Sequence, residues 1–244
     1  MKNSRTLTGL VLLVALASCA KVAAEHEHGV VFDVTADQIL ADVTKSNVSD
    51  YTVLPKADEF VLTITDADGA LFWSGKSAEW DPATKIKAGG YTVKASYGSI
   101  EDEGFDKPCF EGVSTFEVKG KETTHVEIPA SLANTVIKVS CTEAFKNYYK
   151  DYTFKLERNN SEIVTFVKDE QKAAFIDGYR VTVSGVLTTE TGAEKTFSQE
   201  YTALAAATAY NMVFDVAGTG SGAVTITFNN TVETVELGDV ELND

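Results

Sequence analysis

The sequence predicts an all-β protein: two tandem Greek-key β-sandwich modules behind an export signal. Three observations predict it. Apolar and polar residues alternate with a period of two along most of the chain, turn signals separate the alternating runs, and one set of strand sequences recurs in the same order.

The chain begins with a short basic stretch, Lys2 and Arg5, followed by an almost wholly apolar run from Leu10 to Leu16. That run is too short to span a bilayer as a mature helix, so residues 1–18 read as a cleaved signal peptide. The cleavage region, Leu16-Ala17-Ser18-Cys19, resembles the bacterial lipobox. The resemblance implies a lipid on the Cys19 thiol, cleavage before Cys19, and acylation of the new amine; the alternative is an ordinary signal peptide with an incidental cysteine. Each buried methylene contributes ~0.8 kcal/mol, so two or three acyl chains anchor stably where one is marginal. Ala20 stands where an Asp would imply inner-membrane retention, so the resemblance favours the outer membrane. Residues 19–28 are small and polar and read as a lipidated tether. The acids that can mark surface export arrive only at Glu25 and Glu27, which leaves both the cell surface and the periplasm open.

Removing residues 1–18 leaves 19 basic and 36 acidic residues, a net charge of −17. Such a surface repels nucleic acid and anionic lipid, so contact with the membrane falls to the anchor at Cys19. The remaining partner classes are other surface proteins and glycans. Cys109 and Cys141 are left as an even pair, readable either as a disulfide closing a 32-residue loop or as two separately buried thiols.

Along the mature chain, Phe60, Leu62 and Ile64 alternate with Val61, Thr63 and Thr65. Tyr91, Val93, Ala95 and Tyr97 do the same, then Tyr152, Phe154 and Leu156, and finally Val224, Ile226 and Phe228. Apolar-in, polar-out strands suit antiparallel sheets with one solvated face. Turn signals fall at Asp66-Ala67-Asp68-Gly69, Gly89-Gly90, Asn159-Asn160, Asp177-Gly178 and Asn229-Asn230. Short helices are predicted near residues 36–44, 142–149 and 202–208. The stretch Gly90-Tyr91-Thr92-Val93-Lys94-Ala95-Ser96 matches Gly178-Tyr179-Arg180-Val181-Thr182-Val183-Ser184, with the tyrosine opening the buried face in each. The strand from Phe60 matches that from Tyr152, and Val30 to Val34 matches Val136 to Val139. These correspondences predict a duplicated architecture, with modules at residues 29–131 and 132–244.

Ala88-Gly89-Gly90-Tyr91-Thr92-Val93, Tyr97-Gly98, Phe110-Glu111-Gly112, Phe116-Glu117-Val118 and Leu132-Ala133-Asn134-Thr135 also carry a family resemblance. The chain resembles a Bacteroidetes lipoprotein family of unknown function, often labelled as cell-adhesion proteins, and is similar in layout to fimbrillin-like surface proteins. The resemblance implies two transthyretin-like sandwiches and a cell-surface or fimbria-related role. It supplies no catalytic or binding residue.

Enzyme signatures are absent from the sequence: there is no Gly-x-Ser-x-Gly elbow, phosphate loop or dinucleotide fingerprint. Neither a metal site nor a cofactor is expected. His26-Glu27-His28 reads as solvated tail, and His125 lies in a strand. Asp66-Ala67-Asp68-Gly69 resembles the start of a calcium loop, but Ser77 stands where the closing acid is needed, so a hairpin turn is the reading. Trp73 and Trp80 are the candidate ligand-facing aromatics, able to stack on sugar rings if exposed or to plug the first sandwich if not. The expected function is a non-enzymatic envelope protein for adhesion or surface assembly, with a glycan-binding accessory role as the alternative. In fimbrillin-like pilins a protease frees a groove for a neighbour's strand. Here no arginine lies between Arg5 and Arg158, and only Lys45 and Lys56 lie between Val30 and Phe60, so a monomer or accessory subunit is expected.

Overall fold

A computed structural model describes residues 29–40, 46–218 and 222–239. The signal peptide, Cys19 and the tether histidines His26 and His28 lie outside the described residues, as does Lys45. The protein is built almost wholly of strands, with one α-helix among the described residues.

The first half carries β1 (Val30–Ala36), β2 (Val61–Asp66), β3 (Leu71–Lys76), β4 (Gly89–Tyr97), β5 (Gly104–Phe105), β6 (Phe110–Val118) and β7 (Thr124–Leu132). Six of these strands follow the order β1-β7-β6-β4-β2-β3. The β6–β7 pairing is confined to Phe110↔Leu132 and Glu111↔Ser131, after which β7 leaves β6 to run parallel to β1. The ladder therefore folds into two layers. Gly112 permits the divergence: a Cβ there would lie 2.5 Å from the Pro129 carbonyl oxygen. Pro129, which has no N–H to donate, occupies β7 where the β6 ladder has stopped.

The second half carries β8 (Thr135–Cys141), α1 (Glu143–Tyr148), β9 (Tyr149–Arg158), β10 (Ser161–Phe166), β11 (Ala173–Ile176), β12 (Arg180–Thr189) and β13 (Glu194–Thr202). It closes with β14 (Thr208–Val216), β15 (Ala223–Phe228), β16 (Thr231–Glu236) and β17 (Gly238–Asp239). One sheet runs β10-β9-β12-β13-β17 and the other β16-β15-β14-β8-β11-β5. The order β10-β9-β12-β13 repeats β3-β2-β4-β6, and the parallel pair β8–β14 repeats β1–β7. The three sequence correspondences thus occupy equivalent places in the two halves.

The halves are not separate beads. Two-residue β5 pairs with β11 through Ala174↔Phe105 and Phe175↔Gly104, so a segment from the first half lengthens a sheet of the second. All four residues of β11 are buried. Ala173 and Phe175 join the first core, while Ala174 and Ile176 join the second. A strand covered on both faces has no solvated side, which is why it reads as an unbroken apolar run. Val136 on β8 and Ala209 on β14 also enter the first core. Asn134, fully buried between the halves, accepts the Cys109 N–H at 2.5 Å and, through its carbonyl, the Ala207 N–H at 2.8 Å.

Of the turn signals, Gly89-Gly90 instead opens β4, paired with Val118 and Glu117, while the others fall between strands. Asn159-Asn160 and Asn229-Asn230 all have positive φ, 48–64°, as two-residue primed hairpins require. Asp66 Oδ1 accepts the N–H groups of Asp68 and Ala70, so that carboxylate closes a hairpin. The helix expected near 142–149 is α1, capped by Thr142 Oγ1, which accepts the Phe145 N–H at 3.1 Å. Of the other two helix expectations, 202–208 fails and 36–44 is described only as far as Leu40. Residues 37–40 are not helical, and in 202–208 Ala203 and Ala207 adopt left-handed φ of 60° and 51°.

Candidate functional site

The first module ends in a chain of aromatic rings. Trp80 is buried, its indole N–H donates to the Val30 carbonyl at 2.8 Å, and its ring meets Phe32 and Trp73 edge-on at 5.2 and 5.1 Å. It is therefore a core residue that ties β1 to the sandwich, and the expectation of a ligand-facing Trp80 is corrected. Trp73 is half-buried against the same core and shares a face with Ile64, so it too serves packing. The exposed aromatic here is Phe72, where the β2–β3 register shifts and a bulge re-aims the chain. It leans on Tyr91, which stacks on Phe116 at 5.6 Å. Burial, with Asp66 nearby, pushes the Tyr91 phenol above its ordinary value.

Cys109 and Cys141 are free. Cys109 packs at the junction beside Asn134, whereas Cys141 ends β8, seven residues further along a strand. At ~3.3 Å per residue that separation is on the order of 20 Å, well beyond the ~7 Å limit for a bridge. The disulfide alternative is thereby corrected. Cys141 instead lines a cavity of about 110 Å³ with Lys146, Tyr152 and Asp169. The Tyr152 hydroxyl lies 3.3 Å from Asp169 Oδ1, and Lys146 Nζ 3.9 Å from the same oxygen. Burial pushes the Cys141 thiol up to about 12, against the lowering effect of Tyr152 and Lys146. A thiol held protonated is no nucleophile.

The third cluster sits between the modules. Arg158, at the end of β9, places Nη1 2.9 Å from Glu103 Oε2 and donates from Nη2 to the Asp177 carbonyl and from Nε to the Arg180 carbonyl at 3.4 Å. Glu103 Oε1 accepts the Asp177 N–H at 2.7 Å, so one carboxylate from the first half grips both Arg158 and the turn before β12. Lys172 and Asp106 add a second inter-module pair at 2.5 Å. Tyr179, carried between Asp177 and Arg180, is 70% exposed. A family model described as Domain of unknown function (DUF4493) matches residues 29–243. The chain belongs to the DUF4493 family.

No curated protein matches this DUF4493 chain. Among solved structures it is similar to proteins described as candidate polysaccharide binders (DUF1812) from Bacteroides thetaiotaomicron VPI-5482. That likeness is at 11% identity over 88% of this chain and 99% of the other, with a TM-score of 0.48. A candidate cell adhesion protein from Bacteroides ovatus ATCC 8483 is similar at 11% identity, 89% and 99% coverage and a TM-score of 0.47. A fimbrial assembly protein from Parabacteroides distasonis ATCC 8503 follows at 10% identity, 83% and 97% coverage and a TM-score of 0.46. None of these likenesses carries a role to the DUF4493 chain.

Around α1, Tyr149 and Tyr152 are buried, and Tyr148 remains partly exposed. His125 lies on β7. Sequence reasoning missed Tyr179, expecting it inside by analogy with Tyr91. The local pattern held no signal for this; Tyr179 stands outside β12, which begins at Arg180.

Proposed function

We propose that this is a non-enzymatic cell-envelope lipoprotein, held at the outer membrane through Cys19, acting as an adhesion or surface-assembly component. The observation that carries the reading is the welded junction. β5 pairs with β11, Phe175 is shared with the first core, and Glu103 clamps Arg158 and Asp177. A tethered protein that bears load or presents a partner at a distance needs modules that do not hinge apart, and this junction supports that use. The acidic surface supports envelope protein or uncharged glycan partners over nucleic acid. Pilus polymerisation is the less favoured assembly mode. The C-terminal segment closes its own sheet as the β15–β16 hairpin, and the free edge of β16 carries Glu233 and Glu236.

Anchoring is tested with Cys19→Ala in cells fed labelled palmitate. The variant is expected to leave the membrane fraction or stay unprocessed, without label. A variant that fractionates and labels like wild type contradicts the anchor.

A further inference from the structure

We infer that the groove around Tyr179, at the seam between the modules, is a binding site for an uncharged, hexose-type glycan. The two halves supply an internal control. Gly90-Tyr91 and Gly178-Tyr179 occupy matching places in the repeat, yet Tyr91 lies within β4, 8% exposed and stacked on Phe116, while Tyr179 stands just before β12 and is 70% exposed. The second copy has released its tyrosine from the core.

The released ring stands on a fixed backbone. Arg158 holds the carbonyls on either side of it, those of Asp177 and Arg180, and the Tyr179 carbonyl itself accepts the Leu204 N–H at 3.2 Å. An exposed aromatic on a locked backbone loses little conformational freedom on binding, which is what a preformed stacking platform requires.

Around it lies an open depression of about 440 Å³ lined by Arg158, Asn159, Asp177, Tyr179 and Arg180. A second depression, of about 420 Å³, shares Arg158 and Asn159 and continues over Glu101 and Glu103 of the first module. The chemistry is that of sugar recognition. A ring face meets the C–H face of a pyranose, while the Asn159 amide, the Asp177 carboxylate and the Arg180 guanidinium offer planar donors and acceptors for its hydroxyls. Arg180 is available for this, since its pairing with Glu200 is loose at 3.6 Å and both side chains are half exposed. Charge decides the ligand class. Across the two depressions together, Glu103 is engaged by Arg158 and Glu162 by Lys155 at 2.8 Å, which leaves Glu101 and Asp177 against Arg180. A uronate would meet a negative field; a neutral sugar meets none.

This proposal stands apart from the anchoring and adhesion reading. The test is titration calorimetry of the full chain with neutral hexaoses of glucose, mannose, galactose and N-acetylglucosamine, and with hexagalacturonate. At least one neutral hexaose is expected to bind, with affinity reduced about tenfold or more in Tyr179→Ala. Tyr179→Trp should retain binding, and Tyr148→Ala, on α1, should leave it unchanged. Absence of binding to every neutral hexaose at millimolar concentration overturns the proposal. So does wild-type affinity in Tyr179→Ala, or tighter binding of hexagalacturonate.

Discussion

The Cys141 thiol is held neutral where β8 meets the small cavity beside Tyr152 and Asp169. Its folded value is raised from an ordinary 9.0 to about 12, so the stability it contributes is fully present below pH 9 and is lost as pH rises toward 12. Tyr149, pushed from 10.0 up to about 12 by burial, acts with the same sign. Native protein at pH 8 is therefore expected to leave both Cys109 and Cys141 unlabelled by N-ethylmaleimide over minutes, while unfolded protein of the chain lacking Cys19 takes up two labels without reductant. No label in the unfolded state would mean that the cysteines pair after all. Sequence made part of this scale legible. Asp66 was readable as a turn residue because no acid closes a calcium loop at Ser77. Trp80 was not, because its partner, the Val30 carbonyl, lies 50 residues away. Tyr91 and Tyr179 share the same local pattern, and what separates them is a tertiary fact, the Arg158 clamp on the turn.

Strand β11 shows how the elements are coupled. Its alternate residues enter opposite cores, so Phe175 supports the first module from within the second. Phe175→Ala should lower the unfolding free energy by ~3–5 kcal/mol and leave a single transition, measured by denaturant titration. Loss confined to one half, seen as a new early transition, would contradict the shared core. At this scale the long alternating strands and the capped α1 were legible because burial on one face writes a period into the sequence. Four-residue β11 has no polar face to write one, and two-residue β5 is too short to carry any period. The alanine-rich 202–208 segment reads as helix on propensity alone. It is held open instead by Thr135 Oγ1 on the Ala205 carbonyl at 2.7 Å and by the Ala207 N–H on Asn134, contacts that outweigh a preference of tenths of a kcal/mol per residue.

At the scale of the whole molecule, two copies of one strand order are fused into a single body, with the only two arginines of the described residues and an exposed tyrosine at the seam. The duplication was legible from the recurring Gly-Tyr strand. The fusion was not, since it rests on Glu103, Phe105 and Phe175, residues far apart in sequence with no motif of their own. A welded, acidic body, anchored as proposed through Cys19, is useful for adhesion only if it faces outward. Membrane-impermeant biotinylation of intact cells tests this most directly, because lysines such as Lys119, with a 67% exposed side chain, are open to reagent in the folded protein. The protein is expected to be labelled on intact cells as fully as after lysis. Labelling that appears only once the outer membrane is permeabilised would contradict a surface adhesion role.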